Sequence, residues 1–153
     1  HYLIRNQAMS YLNFKKGSQL FCILMLLLGV SCTNQKKIAP EELEGYWEID
    51  FISQHGETFK SSSATPLYDY YAVEQMSGFY KKVAPSFRGT FETSEDVTAF
   101  KIEMTKAGYF LHFKTPWDEW GKKIIQLDSQ KLILEHEKRT FHYKRPRLIN
   151  VLP

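Results

Sequence analysis

Cysteine is nearly missing from this chain of 153 residues, which holds only Cys22 and Cys32. Cys22 lies inside the one long apolar run, Leu20 to Val30, and Cys32 follows just beyond its end. If the run is discarded and Cys32 is modified, no thiol remains for a disulfide, a nucleophile or a thiolate metal site. The run is also too short to cross a membrane. Roughly 20 apolar residues span about 30 Å of hydrocarbon, and this run has 11. That length suits the apolar middle of a secretory signal, roughly 7–15 residues. Lys15 and Lys16 stand where such a signal carries its positive charge, and Met9 is the expected start. An uncleaved anchor helix and a buried apolar helix are the other readings of the run.

Positive charge is lacking once this leader is set aside. The leader holds Arg5, Lys15 and Lys16 and no acid, so the 20 basic residues fall to 17, against 17 acidic. A near-neutral domain does not offer the cationic surface that displaces counterions from nucleic acid, so none is expected as a partner. Motifs of catalysis are missing as well. His55, His112, His136 and His142 form no H-x-x-x-H or H-E-x-x-H spacing. His136 and His142 could meet across a hairpin beside Glu137, although solvent-facing positions suit them better than a zinc site. Asp118-Glu119 between Trp117 and Trp120 reads as a loop with packed rings and solvated acids. Ser61-Ser62-Ser63 lacks the strand–turn–helix setting of a hydrolase nucleophile, and no glycine-rich phosphate loop is present. The chain is therefore expected to have no catalytic residue, no metal and no cofactor.

What is present is alternation with period two. In "GYWEIDFIS", Trp47, Ile49 and Phe51 share a face opposite Glu48 and Asp50. "AFKIEMTKAGYFLHFKT" reads as a hairpin: Phe100, Ile102 and Met104 lead to a turn at Lys106-Ala107-Gly108, and Tyr109, Leu111 and Phe113 return. A second series carries Ile125 and Leu127, then Leu132 and Leu134, then Phe141 and Tyr143, with turns at Asp128-Ser129-Gln130 and near Lys138. Between them, "YDYYAVEQ" and "GFYKKVAPSF" read as strands divided by Ser77-Gly78, "FRGTFETS" as a short strand and "KSSSATP" as loop. Pro40 to Leu43 suits a short helical turn, with proline and acids in its first turn. No helix of three turns is expected after Cys32. About eight short antiparallel strands mean an all-β barrel or sandwich, and eight close a barrel wide enough for side chains or one small ligand.

Two resemblances add to this reading. Small residues before Cys32, then Thr33 to Lys37, resemble the lipobox of bacterial lipoproteins, with Gly29 where that family prefers leucine. The resemblance implies cleavage before Cys32 and lipidation of its sulfur and amino terminus, with several acyl chains giving stable anchoring. Gly45-Tyr46-Trp47 just after the tether matches the G-x-W of lipocalins, and the whole layout resembles the small lipocalin-like lipoproteins of Gram-negative bacteria. That family implies a small up-and-down barrel whose floor is closed by Trp47, with Gly45 before it. An arginine of the last strand packs over the ring, Arg145 or alternatively Arg139. The expected organisation is 1–31 upstream residues and signal peptide, 32–42 tether, 43–146 barrel and 147–153 tail.

The expected function is that of a non-catalytic binding module, monomeric and held at the cell envelope, on the outer membrane facing the periplasm. Its ligand would be a small apolar or amphiphilic molecule among Ile102, Met104, Leu111, Phe113, Leu134 and Tyr143. The abundant aromatics suit either such a cavity or a filled interior. A filled barrel would favour the alternative, a scaffold lipoprotein meeting another envelope protein near Trp117 and Trp120. The basic residues Lys138, Arg139, Lys144, Arg145 and Arg147 suit edge protection better than contact with anionic lipid.

Overall fold

The structure is a computed structural model that describes residues 36–147 apart from 63, 65, 86–90 and 94–95, with the backbone alone for 85 and 91–93. The apolar run, Cys32 and the final residues of the tail lie outside the described residues. Among the described residues, ten strands follow a 3₁₀ helix at Pro40–Leu43. They are β1 (Gly45–Gln54), β2 (Glu57–Phe59), β3 (Tyr68–Glu74), β4 (Ser77–Pro85) and β5 (Phe91–Thr93), then β6 (Thr98–Thr105), β7 (Gly108–Lys114), β8 (Glu119–Leu127), β9 (Lys131–His136) and β10 (Arg139–Lys144).

Eight of them close an antiparallel barrel. The order β10-β9-β8-β7-β6-β4-β3-β1 is completed by β1 pairing with β10, while β2 adds to the end of β1 and β5 to the end of β4. Closure satisfies the backbone groups that an open sheet would leave at its edges. The strands follow from the alternation. On β6, Phe100 and Ile102 are buried while Ala99, Lys101 and Glu103 are exposed, and on β7 Leu111 and Phe113 are buried. The β6–β7 turn is held by Thr105, whose hydroxyl donates to the Gly108 carbonyl (3.0 Å) and accepts from the Ala107 N–H (3.1 Å).

Three details depart from simple alternation. The β3–β4 turn falls at Gln75-Met76, and Ser77-Gly78 begin β4 instead of forming the turn. Gly78 is needed for close approach: a Cβ there would lie 1.9 Å from the Ala72 carbonyl oxygen. On β1 the register shifts between Ile49 and Phe51. A bulge of this kind exchanges the two faces. Phe51 therefore turns outward, stacked on His142 at 4.0 Å, and Ile52 takes the inward place opposite Phe141. A second shift, between Ile124 and Gln126 on β8, puts Ile124 in the core and leaves Ile125 48% exposed.

One end of the interior is packed around Trp47, which is fully buried and donates its indole N–H to the Leu43 carbonyl at 2.9 Å. Of the two arginines considered, Arg145 lies over this ring, its guanidinium carbon 3.7 Å from the centroid. Its nitrogens donate to three backbone carbonyls: Ser129 (3.1 Å), Tyr46 (3.0 Å) and Glu42 (2.8 Å). Burial lowers the Arg145 pKa, with Glu42 opposing. Gly45 has φ +102°, and a Cβ there would come 3.3 Å from an Arg145 nitrogen. The spacing of glycine and tryptophan thus reflects one tightly packed junction. Arg139 instead donates to Gln54 (3.1 Å).

Candidate functional site

The interior is not filled throughout. A cavity of about 640 Å³ is lined by Ile49 and Ile52 of β1, Asp69 of β3, Tyr80 and Lys82 of β4, Lys122 of β8, and Phe141 and Tyr143 of β10. Pro66 and Leu67, from the loop before β3, also line it, together with Lys60, Glu48, Asp50 and Lys144. The register places the polar residues on the inner wall: Asp69 pairs with Lys82 and with Trp47, and Lys122 pairs with the buried Leu111.

Asp69 organises this wall. Its carboxylate is buried and accepts from Lys82 Nζ at 2.7 Å, and more weakly from the Tyr80 hydroxyl at 3.4 Å. Burial, then Asp69, raises the Tyr80 pKa, and the same two causes in the same order push Tyr143 far up. Both therefore remain neutral hydroxyls. Burial pulls Lys82 down, but Asp69 and Tyr80 beside it together outweigh this and leave its pKa raised. The Lys82 side chain is 55% accessible to solvent, so this ion pair adds little stability.

Lys122 stands apart. Its ammonium lies 5.6 Å from the Phe113 ring centre and 5.4 Å from that of Phe141. Burial lowers its pKa, Asp69 partly offsets this, and Lys82 adds to the lowering. Phe113 is held in turn by Trp120, stacked at 5.4 Å with 13° between the planes. The wall can thus present aromatic and aliphatic surface, two neutral hydroxyls, one buried carboxylate and two cations.

Of the six residues named from sequence as holding a ligand, Tyr143 lines this cavity. Ile102, Leu111, Phe113 and Leu134 are buried in the packed core. Met104 is a correction: it is 69% exposed, because β4 pairs with β6 no farther than Lys101 and leaves the end of the β6–β7 hairpin uncovered. Asp69, Lys82 and Lys122 were not singled out in the sequence. Asp69 shares its phase with Tyr71, and Lys82 shares its phase with Tyr80, which was the available signal.

Elsewhere, His142 faces outward on Phe51, while His136 pairs with Arg139 and contacts the Gly121 carbonyl at 2.9 Å. The two histidines do not meet, and no cluster of His, Cys, Asp or Glu among the described residues could hold a metal. A second depression, about 660 Å³, lies on the outer wall and includes Phe79, Ala99, Lys101 and His112. There His112 sits between the carboxylates of Glu103 and Glu119. Trp117 is 93% exposed at the tip of the β7–β8 loop, whose turn is fixed by the Thr115 hydroxyl accepting from the Asp118 N–H at 2.9 Å.

No protein-family model matches the chain, and no curated protein matches it in sequence. Among solved structures it is similar to a lipocalin-like protein from Bacteroides uniformis, with 14% identity and a TM-score of 0.43, covering 69% of this chain and 99% of that one. It is similar also to an uncharacterized protein from Bacteroides eggerthii, with 11% identity and a TM-score of 0.43, over 68% and 99% of the two chains.

Proposed function

We propose that this chain is a non-catalytic binding module of the bacterial envelope, whose barrel holds one small amphiphilic molecule. The observation that carries the reading is the cavity of about 640 Å³ inside a closed barrel, within the roughly 300–1,000 Å³ of small-molecule sites. Its lining of rings, aliphatic side chains and a few convergent polar groups suits a ligand with an apolar body and a polar end. The apolar run and Cys32 support export and lipid anchoring; our reading sets the anchor on the outer membrane, facing the periplasm, with the barrel as a monomer. Native mass spectrometry of the purified protein after incubation with envelope extract tests the ligand: a reproducible small-molecule adduct is expected, and protein that stays empty refutes the reading. Labelling cells with palmitate tests the anchor, and label that persists in Cys32→Ser refutes it.

A second reading, contact with another envelope protein, draws on Trp117, which is 93% exposed on an ordered turn. Exposed aromatics are enriched at interface centres. Crosslinking from position 117 in intact cells distinguishes the two, since a carrier of small molecules alone gives no reproducible protein adduct.

A further inference from the structure

The charges around the cavity do not balance. Among the described lining residues are four lysines, Lys60, Lys82, Lys122 and Lys144, against three carboxylates, Glu48, Asp50 and Asp69. Two ion pairs form: Lys82 with Asp69 at 2.7 Å and Lys144 with Asp50 at 3.3 Å. Lys122 Nζ takes part in neither. Among the described residues it has no ion pair and no hydrogen-bond acceptor, only the faces of Phe113 and Phe141. An ammonium withdrawn from water loses hydration that two ring faces replace only in part. Its three donors are left for whatever enters the cavity.

We propose that Lys122 is the recognition point for an anion, so that the ligand is an amphiphile with one negatively charged group against Lys122 and its apolar body against Phe141, Ile49 and Ile52. This deepens the reading of the cavity as a ligand site and rests on it. Asp69 sharpens the choice. Already engaged by Lys82, this buried carboxylate repels a second negative group and disfavours dianions. The Tyr80 hydroxyl proton is directed at Asp69, so the anion is left to the three donors of Lys122. A charge-assisted contact in such a site is short and strong.

The test uses three probes of one shape: 2-naphthoate, its neutral isostere 2-naphthamide, and the cation 2-naphthylmethylammonium. Each is titrated calorimetrically into the full chain held in zwitterionic lipid nanodiscs, with empty discs subtracted. The expected result is a preference for naphthoate over naphthamide of about tenfold, ~1.4 kcal/mol, and no measurable binding of the cation. In Lys122→Met that preference disappears, with naphthoate falling to the affinity of naphthamide, because the apolar wall is kept and the cation is lost. Lys122→Gln, which retains a polar tip, replaces the methionine variant if the latter does not fold. Equal binding of acid and amide by the unmodified chain, or a preference that survives both variants, overturns the anion inference while the cavity reading stands. If no probe binds the unmodified chain at all, the cavity reading itself falls.

Discussion

Replacing Arg145 by alanine should be among the most damaging single changes outside the buried apolar core. The substitution removes donors to the carbonyls of Ser129, Tyr46 and Glu42 and the cation 3.7 Å from the Trp47 ring. Hydrogen bonds from charged donors each contribute about 1.5–3 kcal/mol, and water will reach part of this partly buried site once the side chain is gone. Taking about 1 kcal/mol for each of the three bonds and about 1 kcal/mol for the cation–π contact gives a loss of ~4 kcal/mol. At about 4 °C per kcal/mol for a domain of this size, the melting temperature should fall by roughly 16 °C. Arg145→Lys keeps the charge but cannot reach three carbonyls with one nitrogen, so about half the loss, ~2 kcal/mol, is expected. The assay is urea unfolding of wild type, Arg145→Ala, Arg145→Lys, Trp47→Leu and the Trp47→Leu/Arg145→Ala double variant. The cycle should show a coupling of about 1 kcal/mol between the two side chains. A loss under 1 kcal/mol for Arg145→Ala, or a lysine variant as stable as wild type, would refute the account of this junction.

Gly78→Ala should destabilise by about 2–3 kcal/mol, since its methyl would stand 1.9 Å from the Ala72 carbonyl oxygen and β3 must move away; an unchanged urea midpoint would contradict it. Alkaline pH should weaken the fold, because burial raises the pKa of Tyr71, Tyr80 and Tyr143 above the ordinary 10.0. Above that value the unfolded chain loses tyrosine protons that the folded chain keeps, so stability present below pH 10 declines by up to about 1.4 kcal/mol per pH unit for each buried tyrosine. The lowered pKa of Lys122 acts in the opposite sense, raising stability with pH, but its window closes near the ordinary 10.5. Urea midpoints at pH 9, 10 and 11 should therefore fall over the last step, and a flat series would reject the sign. Trp117→Ala should shift the midpoint by less than about 0.5 kcal/mol, since the ring is 93% exposed, and a larger loss would mean that it packs in the isolated chain.

The barrel could be read directly from the chain because its evidence is local. Alternation of the kind seen at Phe100, Ile102, Leu111 and Phe113 marks a half-buried strand wherever it occurs, and each short turn leads to an antiparallel neighbour. The 3₁₀ helix at Pro40–Leu43 was visible for the same reason, whereas the meeting of Trp47 with an arginine near the end of the chain was implied only by the family resemblance that Gly45-Tyr46-Trp47 carries. Phe51 and Ile125 were assigned to the wrong face because one inserted residue reverses every side chain after it, and nothing in the local pattern announces a bulge.

That reversal also hid the candidate site. With Ile125 taken as inward, Lys123 shares its face and Lys122 falls on the solvent face. The bulge beyond Ile124 turns Lys122 inward, toward Phe113, Phe141 and Asp69. A lysine in a strand looks the same in either phase, since its long stem serves a wet surface or an apolar wall equally well. Local patterning is enough to form strands and close them into a barrel. Which charged side chain ends inside it depends on register around the closed sheet, and register belongs to all eight strands together.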